Sequence, residues 1–239
     1  MKLTYAKGAG LVTGGSGGIG SSVVTMLAEN GVPVATTYNR HVPKPEIGVA
    51  AFPWSSPDSA AANRLAGDVE GELGSIRYLV ACSGIAQDRA FYRLDEAEWL
   101  DILSTNLTAN LALVRAVVTP MMKAGFGRIV LVSSVSGLRG IPGHTAYAAS
   151  KAGLDGFARS LAQECAAFGV TVNTVAPGFI DTPMLHAMTP EKRKSLTAGI
   201  PMGRFGIPSD VSGVIAFLLS EQAAYVTGQT WAVDGGSSA

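Results

Sequence analysis

The sequence predicts an α/β fold built on one doubly wound parallel sheet with helices on both faces. Two observations carry that expectation. Short apolar or β-branched runs alternate with longer amphipathic stretches from end to end. A glycine-rich segment, Thr13-Gly14-Gly15-Ser16-Gly17-Gly18-Ile19-Gly20, stands directly between the first run and the first amphipathic stretch. The length agrees, because 239 residues suit one large α/β domain, and no linker, repeat or low-complexity stretch divides residues 1–239.

Strands are expected at Ala9–Thr13, Val32–Thr37, Val49–Trp54, Tyr78–Cys82, Arg128–Ser133, Thr171–Ala176 and Thr230–Val233. They are short and lack strict polar alternation, as suits strands covered on both faces. Between them the helical pattern predicts helices over Ile19–Asn30, Ser59–Gly71, Glu96–Ala124, Tyr147–Phe168 and Asp210–Ser220. Pro120 falls inside the third and is expected to kink its end. The segment 182–201 holds Pro183, Pro190 and Pro201 and is long for a connection. It reads as a loop with a short helix, a substrate lid.

Composition excludes several classes. Lys+Arg and Asp+Glu are both 18, so no net field draws nucleic acid or an anionic membrane. Cys82 and Cys165 read as buried thiols in a reducing compartment, not as a disulfide or metal site. His41, His144 and His186 have no ligand spacing, so no metal is expected; His144, three before Tyr147, is placed to touch substrate. The N-terminus runs straight into a strand without a signal-peptide core, and no apolar stretch approaches the roughly 20 residues of a spanning helix. The expectation is a cytoplasmic protein. Its 47% hydrophobic content leaves apolar surface for a subunit interface.

The glycine segment sits where a strand hands over to a helix. Glycine lets the backbone come close to a ligand, and the helix that follows offers free N–H groups and a positive dipole end to a pyrophosphate. Gly14, Ser16, Gly17, Gly18, Ile19 and Gly20 are the candidate phosphate-facing residues, which makes the fold Rossmann-type. An ordinary tight turn would also collect glycine.

Tyr147-Ala-Ala-Ser-Lys151 places a phenol and an ammonium one helical turn apart, on one face. A nearby cation stabilises a phenolate and lowers its pKa toward the range useful for proton donation. The isolated pair equally fits a solvated helix face. Thirteen residues before Tyr147, the strand ending in Ser133-Ser134 brings hydroxyls to the carboxyl edge of the sheet, where α/β folds bind ligands. Either hydroxyl can polarise a carbonyl or cap a turn.

Taken in order, Thr13-Gly14-x-x-x-Gly18-x-Gly20, Thr105-Asn106-Leu107, Ser134 and Tyr147-x-x-x-Lys151 resemble the motifs of the short-chain dehydrogenase/reductase family, over nearly the whole chain from Leu11 to Gly236. The resemblance implies a catalytic set of Asn106, Ser134, Tyr147 and Lys151. Asn106 would support the lysine through a water-linked relay, and Ser134 rather than Ser133 would hold the carbonyl. It also implies that Tyr147 and Lys151 contact the nicotinamide ribose. Pro177 and Gly178, with the backbone of Ile180 and the hydroxyl of Thr182, would face the carboxamide. Ser83 and Gly84 would line the cleft.

Cofactor choice follows from the second strand, which ends Thr36-Thr37-Tyr38-Asn39-Arg40 without an acid. An acid there would bind a ribose 2′-hydroxyl, whereas Arg40 can fork onto a 2′-phosphate. NADP(H) is therefore expected, with Tyr38, Asn39 and Arg40 around the adenosine. Two departures stand out. The family's Asn-Asn-Ala-Gly reads Ala81-Cys82-Ser83-Gly84, so lost hydrogen bonds must be replaced, with Ser83 a candidate. Its Asp-Val pair reads Pro53-Trp54, which removes an adenine contact.

Stretches such as Ile200-Pro201-Met202-Gly203-Arg204-Phe205-Gly206 resemble 3-oxoacyl-[acyl-carrier-protein] reductases. That implies a carrier-linked or small-molecule ketone substrate. Docking of an acyl carrier protein has only Lys123 and Arg128 at the end of the third helix, or an apolar patch with Phe126 and Phe168. Reduction of a polyketide or other secondary-metabolite ketone is the alternative, and a non-catalytic nucleotide-binding scaffold a further one. On the third helix Leu107, Leu111, Val114 and Val118 make one apolar face and Leu113 with Val117 a second; Leu154, Phe157 and Leu161 add to it from the next helix. One face must cover the sheet and the second needs a partner; the resemblance implies that these helices and the strand Thr230–Val233 build two interfaces, hence a homotetramer, with a dimer as fallback.

Overall fold

In the computed structural model, residues 2–39, 42, 48–54, 57–185 and 188–239 are described. Seven parallel strands form one sheet in the order β3-β2-β1-β4-β5-β6-β7. They are β1 (Ala9–Thr13), β2 (Val34–Tyr38), β3 (Val49–Pro53), β4 (Ile76–Ala81), β5 (Gly127–Val132), β6 (Val170–Pro177) and β7 (Thr230–Val233). The order reverses between β1 and β4, and the crevice at such a switch point is where open α/β sheets take ligands.

Alternation along the strands divides the core in two. Leu11, Leu79 and Leu131 face helices α2 (Ser59–Leu73), α4 (Ala109–Lys123) and α6 (Thr145–Cys165). Val12, Val80 and Val130 face α1 (Gly18–Glu29) and α8 (Pro208–Leu219). Each central strand is thus buried on both sides, which explains why its sequence shows no polar face.

The third helix is not one uninterrupted α-helix. Helix α3 (Glu96–Leu103) passes into a π-helical turn, Ser104–Thr108, before α4 begins. Such turns add a residue to the local winding and are frequent at functional sites. Asn106 sits inside it and is fully buried. Pro120 lies within α4, which continues to Lys123. By length and composition Glu96–Lys123 is apolar enough to cross a membrane, contrary to the sequence expectation. The face carrying Leu113, Val114, Val117 and Met121 is buried in the sheet core, so this is a core helix. Val114 therefore joins the buried face and not the outer one, where Leu107, Leu111, Val118, Phe157 and Leu161 are half-buried.

A short helix, α5 (Val135–Leu138), follows β5, and α7 (Pro190–Ala198) follows a 3₁₀ turn at Pro183–Leu185. Thr189 caps α7 by accepting from the Lys192 N–H at 3.3 Å, with Pro190 at the first helical position. His41 and His186 lie outside the described residues.

Candidate active site

The glycine loop turns from β1 into α1 at the switch point. Gly14 has φ +69°, a conformation costly for any side chain. A Cβ on Gly20 would collide with the Gly14 carbonyl, and one on Gly18 with the Thr182 side chain. Thr182 thus lies against the loop, bringing the segment after β6 to the start of α1. That start has Gly17 as its N-cap and no side-chain cap, so its first N–H groups are left for a ligand. The loop has the shape and the unused donors that a dinucleotide pyrophosphate requires.

Across the crevice, Thr13 holds the segment Cys82-Ser83 that follows β4. The Thr13 hydroxyl accepts from the N–H groups of Cys82 and Ser83, each at 3.1 Å. The Thr37 hydroxyl accepts from Gly14 N–H at 3.3 Å. A threonine at the end of β1 was the available signal, passed over because it also opens the glycine motif. Trp54 is half-buried, its backbone N–H on the Tyr38 carbonyl and its indole N–H buried without a partner among the described residues. Tyr38 is half-buried at the end of β2 and Asn39 is exposed; Arg40 lies outside the described residues. Ser16 and Gly18 border a cleft of about 520 Å³ between α1 and α8 on the outer side of the loop, away from Tyr147.

The second cluster gathers where β5 and α6 meet. Ser133 turns away, donating to the Lys151 carbonyl and the buried Asp155 carboxylate at 3.0 Å. Ser134 instead accepts from the Ser136 N–H at 3.1 Å, and its hydroxyl lies near enough to the Tyr147 phenol to pull the phenol's pKa down. Burial raises the phenol's pKa, and the Ser134 hydroxyl only partly offsets this. That differs from the expected lowering by Lys151. The reason is geometric: the Lys151 ammonium is 5.6 Å from the Tyr147 ring centroid and donates to the Val132 carbonyl at 2.8 Å. Burial brings Lys151 down to about 8, against the pull of the Asp155 carboxylate. Burial likewise pushes the Cys82 thiol up to about 12, leaving it a neutral neighbour of the lysine. Asp155, one helical turn beyond Lys151, was not singled out in the sequence.

The Asn106 side chain joins two segments of the cleft. Its amide donates to the Ile85 carbonyl at 2.8 Å and to Ser150 at 3.2 Å, while its carbonyl oxygen accepts from the Ile85 N–H at 2.8 Å. The side chain is a clamp between the segment after β4 and helix α6. A Cβ on Gly84 would lie 3.1 Å from the Asn106 oxygen and 3.3 Å from the Lys151 ammonium, so Gly84 keeps that corner open. After β6, Gly178 is held by Val233 and packs on Asp234, and the buried Ile180 pairs with Gly206. Pro177 ends the strand.

This geometry has known counterparts. A family model described as "Enoyl-(Acyl carrier protein) reductase" matches residues 14–238. Acetoacetyl-CoA reductase of Allochromatium vinosum is 39% identical over 95% of this chain and 96% of its own length. The 3-oxoacyl-[acyl-carrier-protein] reductase FabG of Vibrio cholerae is 43% identical, covering 95% of each. The chain belongs to the short-chain dehydrogenase/reductase family. As a member of it, the protein is an oxidoreductase that works with a nicotinamide dinucleotide. A solved structure titled gox2181 superposes with a TM-score of 0.90 at 31% identity, covering 98% of this chain and 97% of that one.

One of the two basic residues expected at a docking surface, Arg128, is not available there. Arg128 is buried, its guanidinium spent on the carbonyls of Gly127, Gly169 and Ser220. It lies 4.3 Å over the Phe126 ring, which is itself packed edge-on to Tyr78. Of the expected basic and apolar residues, Lys123 and Phe168 remain at the surface.

Proposed function

We propose that the protein reduces a 3-oxoacyl thioester to the 3-hydroxyacyl form with NADPH. The observation that carries this reading is the gathering of Ser134, at the start of α5, with Tyr147 and Lys151 of α6 where β5 meets α6, the Lys151 ammonium 5.6 Å from the Tyr147 ring centroid. Two hydroxyls and a cation suit a carbonyl oxygen that gains charge. Relatives described as 3-oxoacyl-[acyl-carrier-protein] reductases favour a ketone over the enoyl substrate named in the family description.

In this reading Ser134 donates a hydrogen bond to the ketone oxygen and holds it beside the phenol. NADPH, when bound, supplies the hydride to the carbonyl carbon. Tyr147 gives its proton to the alkoxide oxygen that forms, yielding the alcohol. The raised pKa keeps the phenol protonated at neutral pH, and a cation beside it is needed to bring it back toward the range in which it releases that proton. Lys151 turns from Val132 toward the nicotinamide ribose and steadies the phenolate left behind. Asn106 keeps the cleft wall in place. The glycine loop holds the pyrophosphate; Ser83, Gly84, Pro177, Gly178, Ile180 and Thr182 enclose the nicotinamide half. Residues 1–239 act as one domain, with 182–201 as the lid. Rates on carrier-protein, coenzyme A and free 3-oxo substrates, measured side by side, test the substrate class. A preference for a bulky polyketide ketone would favour the alternative, and binding without turnover the scaffold.

NADP(H) specificity is assigned to Arg40 beside Tyr38 and Asn39. A lost charge-assisted contact to the 2′-phosphate costs about 1.5–3 kcal/mol. Arg40→Ala is expected to raise the KM for NADPH accordingly and leave NADH nearly unchanged. Equal changes with both cofactors would refute the assignment.

The half-buried Leu107, Leu111, Val118, Phe157 and Leu161, with exposed Trp231 on edge strand β7, suit two interfaces and a cytoplasmic homotetramer. Sedimentation at micromolar concentration tests it: a stable species near the chain mass of 24.6 kDa would rule out the assembly.

A further inference from the structure

Helix α7 is lightly anchored. None of its nine residues is fully buried, Leu196 is half-buried, the Arg193 guanidinium lies 4.5 Å over the Phe205 ring, and so short a helix has little stability of its own in water. Two adjacent polar feet add to this hold. Arg193 reaches Asp181 at 2.8 Å, on the segment between Ile180 and Thr182. Lys192 reaches Asp88 Oδ2 at 3.1 Å, on the segment after β4. The helix therefore bridges the cofactor side of the cleft and the side that carries Tyr147.

From Asp88 the contacts continue inward. Its other oxygen, Oδ1, is 2.6 Å from His144 Nε2. Burial lifts the Asp88 carboxyl, yet the hydrogen bonds from Lys192 and His144 outweigh it and leave the group below its usual range. His144 Nδ1 is 3.1 Å from the Ser136 hydroxyl, and the Ser136 N–H donates to Ser134 Oγ. The His144 ring also stands edge-on to the Tyr147 ring, with centroids 5.6 Å apart. With both nitrogens engaged the ring plane is fixed: a neutral imidazole donates from Nε2 to Asp88 and accepts at Nδ1 from Ser136. One unbroken chain of contacts links α7 to both hydroxyls of the site.

We propose that His144 is a positioning residue which, through Asp88 and Lys192, ties the seating of α7 across the cleft to the placement of the Ser134 and Tyr147 hydroxyls. A ketone enclosed beneath α7 then meets both hydroxyls already in register. The effect on turnover rests on the reductase reading above, whereas the physical tie does not.

The test uses the full-length, NADPH-saturated protein and two readouts. Amide hydrogen exchange over 190–198 reports the tie without any substrate. Lys192→Met, Asp88→Ala and His144→Ala each speed exchange there, and His144→Gln restores protection, because its amide keeps one donor and one acceptor. In steady-state ketone reduction, Lys192→Met raises the substrate KM about three- to fivefold, the span of a half-exposed ion pair, with kcat unchanged. His144→Ala raises KM and also lowers kcat, and the Lys192→Met/His144→Ala double variant has no higher KM than His144→Ala alone. Wild-type exchange over 190–198 in His144→Ala overturns the proposal, as do KM effects that multiply in the double variant. If no ketone is reduced at all, the reductase reading falls while the exchange data still decide the tie.

Discussion

Tyr147→Phe is expected to lower kcat by roughly a hundred- to ten-thousandfold, the range a positioned general acid contributes, while NADPH binds as before. The ring packs edge-on to His144 and Phe keeps that contact. What disappears is the hydroxyl beside Ser134 and the proton it holds. Burial raises the phenol's pKa, so water or a neighbouring side chain is a poor replacement in the enclosed site. Turnover and NADPH fluorescence titration, measured together, separate the two effects. Near wild-type turnover would show that another group delivers the proton.

The second large effect is expected at Asn106. Its side chain satisfies both backbone groups of Ile85 and reaches Ser150 on the catalytic helix. Asn106→Ala leaves those partners unpaired, at about 1–3 kcal/mol for each group that water cannot reach. The variant is therefore expected to lose about 2–4 kcal/mol of stability and most of its turnover, since the Ile85 segment leads to Asp88 and the far side of the cleft. Urea denaturation with kcat on the same preparation checks this. Unchanged stability with lost activity would point instead to a purely chemical role.

The contrast between Tyr147 and Asn106 marks what the sequence could convey. A four-residue spacing on a helix fixes a shared face, so the approach of Tyr147 to Lys151 was legible, as was the glycine loop at the end of β1. Seven strands were placed to within two residues, and for the five inner ones the reason is burial on both faces, which leaves an uninterrupted apolar run. The π turn was not legible. It replaces one helical hydrogen-bond pattern with another and leaves no mark in hydrophobic periodicity, so Glu96–Ala124 read as continuous. The role of Thr13 was hidden for a related reason: a hydroxyl that caps two N–H groups across the sheet has partners about seventy residues away. The chain from Lys192 through Asp88 to His144 likewise spans three segments that only the fold brings together. Lys151's influence on Tyr147 was misjudged because spacing gives a shared face but not a side-chain direction.

The central claim is hydride transfer from the cofactor to a ketone carbon, with protonation of the oxygen from Tyr147. Single-turnover reaction of the protein with NADPH deuterated at the transferable position and an acetoacetyl thioester tests it most directly. The account predicts one deuterium on the carbon that bears the new hydroxyl, with no such product from Tyr147→Phe on the same timescale. Deuterium absent from that carbon, or wild-type-like product formation by Tyr147→Phe, would contradict it.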